Sequence, residues 1–249
     1  MLNALSDVSS VLYADLQNLR RHLRSLVATS LIQPLLYLVA FGYGLGQGVN
    51  IGGVSYLAFV IPGIIALTAF STSFSGASAK LQVDRLFYKT FDEYLMAPVS
   101  LYSIVVGKAL VGVVRGLITS VAILVVGLVL SPLLIVSPLF VLVLFVSCFV
   151  FALFGVLVAF LINSHQNMST FSNLVILPMT FLCGTFFSFS GLPVAAQAVL
   201  YVLPLTHASL CLRAAALGQP FPWLSFAALL GFGLAFFLGS MVALKKNSA

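Results

Sequence analysis

Residues 139–162 read LFVLVLFVSCFVFALFGVLVAFLI and carry no charged side chain. A run of that length matches the ~20 apolar residues that a helix needs to cross the hydrocarbon core of a bilayer. Comparable runs recur at 26–46, 56–75, 109–130, 171–189 and 223–244. The mean hydropathy is +1.19 and only 6% of the residues are charged, against about a quarter in soluble domains. No stretch is left from which a separate soluble domain could be built. The reading is an all-α membrane protein with six transmembrane helices in a single domain, 1–249.

Ahead of the first run, Leu5, Val8, Leu12, Leu16, Leu19, Leu23 and Leu26 recur at three- and four-residue steps, with Asp7, Asp15, Arg20, Arg21 and Arg24 between them. That is an amphipathic helix pattern over 1–25. It suits a helix lying in the membrane surface with its basic face on lipid head groups, or one packed on a partner protein. No short apolar core ending in a small-x-small site follows the start, so the first span is expected to stay as an anchor.

Between the fifth and sixth runs, LPVAAQAVLYVLPLTHASLCLRAAALG is also apolar, but Pro204 divides it into pieces too short to cross singly. It reads as a re-entrant hairpin over 190–218. Charge supports this count. With six spans and a cytoplasmic N-terminus, Arg20, Arg21, Arg24, Lys80, Arg85, Lys89, Lys108, Lys245 and Lys246 all lie inside, and Arg213 alone lies outside. A seventh span would carry Lys245 and Lys246 to the outer side. Both termini are thus expected in the cytoplasm. The net charge of +6 follows from the same bias, and nucleic acid is not expected as a partner.

Small residues point to close helix packing: Ala227, Gly231, Ala235 and Gly239 form a four-residue ladder, and Gly112 and Gly116 form a second pair. Cys148, Cys183 and Cys211 read as small packing residues, and no metal site is expected. His207 and Cys211 at i, i+4 would need two further ligands to hold zinc. The glycine-rich GYGLGQG, 42–48, fits no dinucleotide fingerprint and reads as an outer turn.

The three histidines fall in separate regions, which disfavours a membrane enzyme. All five acids, Asp7, Asp15, Asp84, Asp92 and Glu93, fall outside the expected spans, which disfavours ion coupling by a buried acid. A G-x-x-x-x-G-K-[ST] phosphate loop is also missing, since VVGKAL around Lys108 lacks both the upstream glycine and the following Ser or Thr. If ATP drives this chain, another polypeptide must bind it. The cytoplasmic loop LQVDRLFYKTFDEYLMAPVS, 81–100, gathers three of the acids beside Arg85 and Lys89. Phe87, Phe91, Tyr94 and Leu95 fall on one helical face, with Asp84, Arg85, Tyr88, Lys89 and Asp92 on the other. It reads either as a solvated surface helix or as a docking surface for a partner.

In order and spacing, several segments resemble the permease subunits of ABC-2 type exporters: GVSYLAFVIPGIIA (53–66), EYLMAPVS (93–100) with VRG (114–116), LPMTFLCGTFF (177–187) and YVLPLTHASLCLRA (201–214). FGYGLG, the GVSY segment and PLTHASLCLR look most like permeases exporting lipo-oligosaccharide nodulation signals, with drug-export permeases close behind. Pro62 and Gly63 stand where that nodulation subgroup has a second alanine before the glycine. The resemblance implies an inner-membrane permease that pairs with a second permease and with two copies of a separate ATPase. ATP and magnesium would be held by that ATPase and no cofactor by this chain. It also implies that the helix over 81–97 is the coupling helix, with Asp84, Arg85, Tyr88, Lys89, Phe91, Asp92, Glu93 and Tyr94 facing the ATPase, and that the hairpin around Pro204 is an outer gate.

Arg115, His207 and Arg213 are the remaining candidates for substrate or gate contacts. Arg115 either snorkels to the cytoplasmic interface or meets an anionic head group. Arg213 either orders the hairpin or touches departing substrate. The alternative function is a secondary transporter or channel without an ATPase. It has the support of a loose likeness between FVIPG (59–63) and VILPM (175–179), the pattern of an inverted repeat.

Overall fold

The structure is a computed structural model that describes residues 2–46, 48–51, 53–88, 91, 96, 100–187, 189 and 193–247. Helix α1 (Leu2–Tyr37) passes directly into a π-helical segment, Leu38–Leu45. The expected surface helix over 1–25 and the span over 26–46 therefore form one unbroken rod. No glycine or proline stands before Pro34 to end it. Pro34 removes one donor from the ladder, and the wider π turns begin one turn later. The expected outer turn over 42–48 starts late for the same reason, since the π segment continues through Gly42 and Gly44 to Leu45.

A two-residue hairpin, β1 (Asn50–Ile51) paired antiparallel with β2 (Val54–Ser55), leads into α2 (Tyr56–Leu86). The π segment packs closely on α2: a Cβ at Gly42 would lie 2.6 Å from Leu57 Cδ1. Then come α3 (Leu101–Leu130) and α4 (Pro138–Leu161). Three of the starts have one cause in common, a serine N-cap. Ser55, Ser100 and Ser137 accept bonds from the N–H groups of Ala58, Ser103 and Phe140 at 3.3, 3.2 and 3.1 Å. The next helical stretch is in three pieces: α5 (His165–Phe171), π-helical Ser172–Ile176, and α6 (Leu177–Leu182). It was expected over 171–189, but it leaves the helix at Cys183, and Gly184 follows at φ 71°.

The expected hairpin consists of α7 (Val194–Tyr201) and α8 (Pro204–Leu217), bent by 95°. Pro204 opens α8 in its first turn, where its missing N–H costs nothing, and Gly218 closes the helix in the left-handed conformation. Helix α9 (Trp223–Asn247) completes the chain. Five helices are long and apolar enough to cross a membrane, and the α7–α8 pair makes six if it counts as one broken span.

At the centre of the bundle lies α2, flanked by α3 and α4 and buried from Ala58 to Phe70. Lipid is as apolar as these side chains, so burial in itself gives little association between spans, and close packing has to supply it. The small residues do so. Gly112 lies against the Ser73 carbonyl, Gly116 against the Ser73 side chain and Cys148, and Gly155 against the Phe74 carbonyl, with no room for a Cβ at any of them. The Gly112–Gly116 pair is thus used within one chain. The ladder on α9 is used only in part: Gly239 meets Leu157, whereas nothing lies within 4 Å of a Cβ at Gly231.

Candidate functional site

At one end of the bundle, α2 runs on past its apolar stretch, so Asp84 belongs to the helix and not to a loop. Asp84 is 3% exposed. Its Oδ1 accepts from Lys80 Nζ at 2.7 Å and its Oδ2 from Lys108 Nζ of α3 at 3.0 Å. The next residue turns to the other neighbour. Arg85 Nη1 donates to the carbonyls of Ala159 and Phe160 at 2.8 and 2.9 Å, and Nη2 donates to Asn163 Oδ1 at 2.6 Å. The last four carbonyls of a helix lack partners of their own and carry its negative pole, so a guanidinium there both caps α4 and complements its dipole. Gln82 adds a longer bond to the Ser164 carbonyl at 3.5 Å.

These positions correct three expectations. Asp84 and Arg85 were expected on the solvated face of a separate charged helix, but Asp84 is buried and Arg85 is bonded to α4. Phe87 was expected on the apolar face of that helix; it is 66% exposed, and Tyr88 beside it is 71% exposed. The physical reason is that α2 continues to Leu86, so its own helical phase turns Asp84 toward Lys108 and Phe87 away. Asp84 lies outside the span expected over 56–75 but within the same helix, α2. Phe91, expected among the residues facing the ATPase, is buried, 2% exposed, with its ring 5.6 Å from that of Phe160. Lys89, Asp92, Glu93 and Tyr94 lie outside the described residues. Sequence reasoning missed Lys108 as the partner of Asp84, although two opposite charges near the facing ends of consecutive spans were the available signal.

At the opposite end, Arg213 of α8 is buried and makes four contacts. Nε donates to the Phe59 carbonyl at 3.1 Å, and Nη2 to the carbonyls of Gly184 and Thr185 and to Ser209 Oγ at 2.9, 3.4 and 3.5 Å. The guanidinium also lies 3.8 Å from the centre of the Phe59 ring. Of its two expected roles, this geometry fits ordering. Arg213 serves carbonyls that the chain leaves open where it unwinds after α6, and it ties the hairpin to α2. Gly63 shows how tight this junction is, because a Cβ there would lie 2.8 Å from the Thr185 carbonyl oxygen. Tyr56 adds a bond from its hydroxyl to the Phe186 carbonyl at 2.8 Å.

His207, also on α8, is 7% exposed, between the rings of Tyr201 and Phe232. Its Nε2 is 2.9 Å from the Tyr201 carbonyl, which can only accept, so Nε2 carries the proton and Nδ1 is left as an unpartnered acceptor. It borders an open pocket of about 640 Å³ between the hairpin and α9, with Leu224, Ser225 and Ala228 on the far wall. Pro204 is buried at the corner of the hairpin. Cys148, Cys183 and Cys211 are buried and free, which fits packing residues.

Arg115 stands apart from both ends, at the middle of α3. It is half-buried, and no hydrogen bond or ion pair reaches its side chain among the described residues. Its stem packs on Gly76 of α2: a Cβ there would lie 2.9 Å from Arg115 Cδ. One turn further along α3, Thr119 Oγ1 bonds Thr72 Oγ1 at 2.8 Å.

Over most of the chain, residues 7–217, the sequence matches the ABC-2 type transporter family. The chain belongs to that family. Curated relatives agree. It is 28% identical over 197 residues to the inner membrane transport permease YadH of Escherichia coli (strain K12), covering 77% of this chain and 76% of that one. It is 32% identical over 197 residues to nodulation protein J of Rhizobium meliloti (strain 1021), covering 77% and 74%. To nodulation protein J of Rhizobium leguminosarum bv. viciae it is 34% identical over 200 residues, covering 77% and 74%. The protein is an integral membrane ABC transporter permease, a transport subunit that works with an ABC ATPase.

Proposed function

We propose that this permease is the membrane half of an ATP-driven exporter, assembled from two permease copies and two copies of a separate ATPase that holds ATP and magnesium. It carries an amphipathic lipid, glycolipid or drug outward across the bacterial inner membrane by alternating access. Both termini and the Asp84 end of the bundle face the cytoplasm, and the α7–α8 hairpin lies toward the outer side. Family membership over residues 7–217 is the observation that carries this reading.

The geometry supports it in two ways. Asp84 and Arg85 clamp the ends of α2, α3 and α4 into one unit, so a force applied at Tyr88 and Phe91 would move three spans together. At the other end, Arg213 couples α2 to the hairpin, which suits a gate that follows α2. The relatives named for nodulation favour a lipo-oligosaccharide among the substrate classes. The test is to purify the tagged chain from its native membrane and identify what comes with it. A P-loop ATPase in equal amount, together with ATP-dependent extrusion from reconstituted vesicles, is the expected result. Gradient-driven flux from the permease alone would sink the reading.

A further inference from the structure

We propose that Arg115 is a binding site for the oxyanion head, a phosphate, carboxylate or sulfate, of an anionic amphiphile that enters between α2 and α3. The inference rests on the permease reading for its purpose but not for its chemistry. Arg115 is fourteen residues from the start of α3, about 21 Å along the helix, and fifteen from its end. Within the span expected over 109–130 it lies six residues, about 9 Å, from the Lys108 end, where a charge is commonly kept for a partner or a task.

No protein partner reaches it among the described residues. Asp84, the acid nearest on the facing helix, accepts from Lys80 and Lys108, and Lys108 lies two turns, about 10 Å, from Arg115 along α3. Both Cβ and Cδ of Arg115 lie against Gly76, 3.3 and 2.9 Å from where a Cβ would stand, and that position is also 3.2 Å from Gly112 Cα, so the stem lies in the seam between α2 and α3. Gly76 is where α2 gives way to it.

The surroundings suit a polar head. Ser71, Thr72 and Ser75 share the face of α2 that leads to Gly76; Ser75 is exposed and the other two are half-buried. Ser71 and Thr72 already donate to the Thr68 carbonyl, which leaves Ser75 as the open hydroxyl beside the Arg115 guanidinium, whose planar fork takes two oxygens of one oxyanion. An apolar tail would then lie along the bare flanks of the same helices. The ligand supplies the countercharge that the chain lacks.

The test uses the purified chain in phosphatidylcholine nanodiscs containing a minor fraction of phosphatidylglycerol as the anionic probe, with retained lipid read by native mass spectrometry. The native chain should retain phosphatidylglycerol over phosphatidylcholine by about tenfold, the size of one charge-assisted contact. Arg115→Gln should lose that preference and Arg115→Lys should keep part of it, while Lys246→Gln, at an exposed cation on α9, should keep all of it. Thermal unfolding guards against a folding artefact: without phosphatidylglycerol, Arg115→Gln should unfold at or above the native temperature, because an unpaired charge is gone. Equal retention of the two lipids, a preference that survives Arg115→Gln, or a lower unfolding temperature for that variant would overturn the site. Displacement of the lipid by inorganic phosphate would overturn its assignment to an amphiphile. An absent ATPase would count against the permease reading alone and would leave the lipid result standing.

Discussion

Asp84 of α2 and Lys108 of α3 form an ion pair of 3.0 Å in which the residues are only 3% and 2% exposed. Removing one member of a buried pair leaves the other charge uncompensated, which typically costs about 3–5 kcal/mol. Asp84→Leu should lower the unfolding temperature of the detergent-solubilised chain strongly, and Lys108→Met less so, because Lys80 still meets Asp84 at 2.7 Å. The double variant should recover most of the loss, since an apolar pair of similar volume replaces a charged one. Additive losses in the double variant would show that the two residues stabilise separate parts of the bundle.

Arg213 serves carbonyls from two different segments, Phe59 on α2 and Gly184 and Thr185 in the unwound stretch after α6. Arg213→Gln should cost about 3 kcal/mol, taking two charge-assisted bonds at the lower end of their range. Arg213→Lys should recover less than half of this, because a single ammonium cannot reach acceptors that a fork meets on different edges. Chemical denaturation of the reconstituted chain measures both. Full rescue by lysine would mean that charge alone, not directed bonding, holds the hairpin.

The apolar runs showed the class, the approximate spans and the hairpin, because membrane thickness and the proline at 204 act on local sequence. What they could not show was helical phase beyond the end of a span. Asp84 looks like a loop residue until α2 is seen to continue to Leu86, and then the same helix turns it inward and turns Phe87 outward. Likewise, nothing local distinguishes Gly112, pressed against the Ser73 carbonyl, from Gly231, which has open space before it. That difference is made by which helix lies opposite. Arg115 and Arg213 looked alike as isolated cations, and only tertiary contacts separate Arg213, bonded to three carbonyls, from Arg115, which has no bond among the described residues.

The two kinds of glycine lead to opposite expectations. Gly63→Ala would push a methyl to 2.8 Å from a backbone oxygen of Thr185, an atom that cannot swing aside, and overpacking of this kind costs about 1–3 kcal/mol. Gly231→Ala meets nothing and gains helix propensity, so α9 should be unchanged or steadier by up to about 1 kcal/mol. Thermal unfolding of the two single variants side by side checks the contrast. A loss at Gly231 would instead indicate that this face of α9 packs on another chain in the assembled transporter.

Phe87 and Tyr88 are exposed just beyond the clamped end of α2, next to the buried Phe91. Exposed aromatics commonly anchor interfaces, where truncation of a central one costs about 2 kcal/mol or more. If this is where the ATPase seats, Phe87→Ala and Tyr88→Ala should each reduce ATPase recovered with the tagged permease by more than about tenfold. Both are largely exposed, so the stability of the permease alone should change only by the amount of an ordinary surface substitution, about 0.5 kcal/mol. The charge reversals Asp92→Lys and Glu93→Lys, a few residues on, should weaken recovery further at low salt and less at high salt, as screening shortens their reach. Unchanged ATPase recovery across all four variants would move the docking surface to another part of the cytoplasmic side.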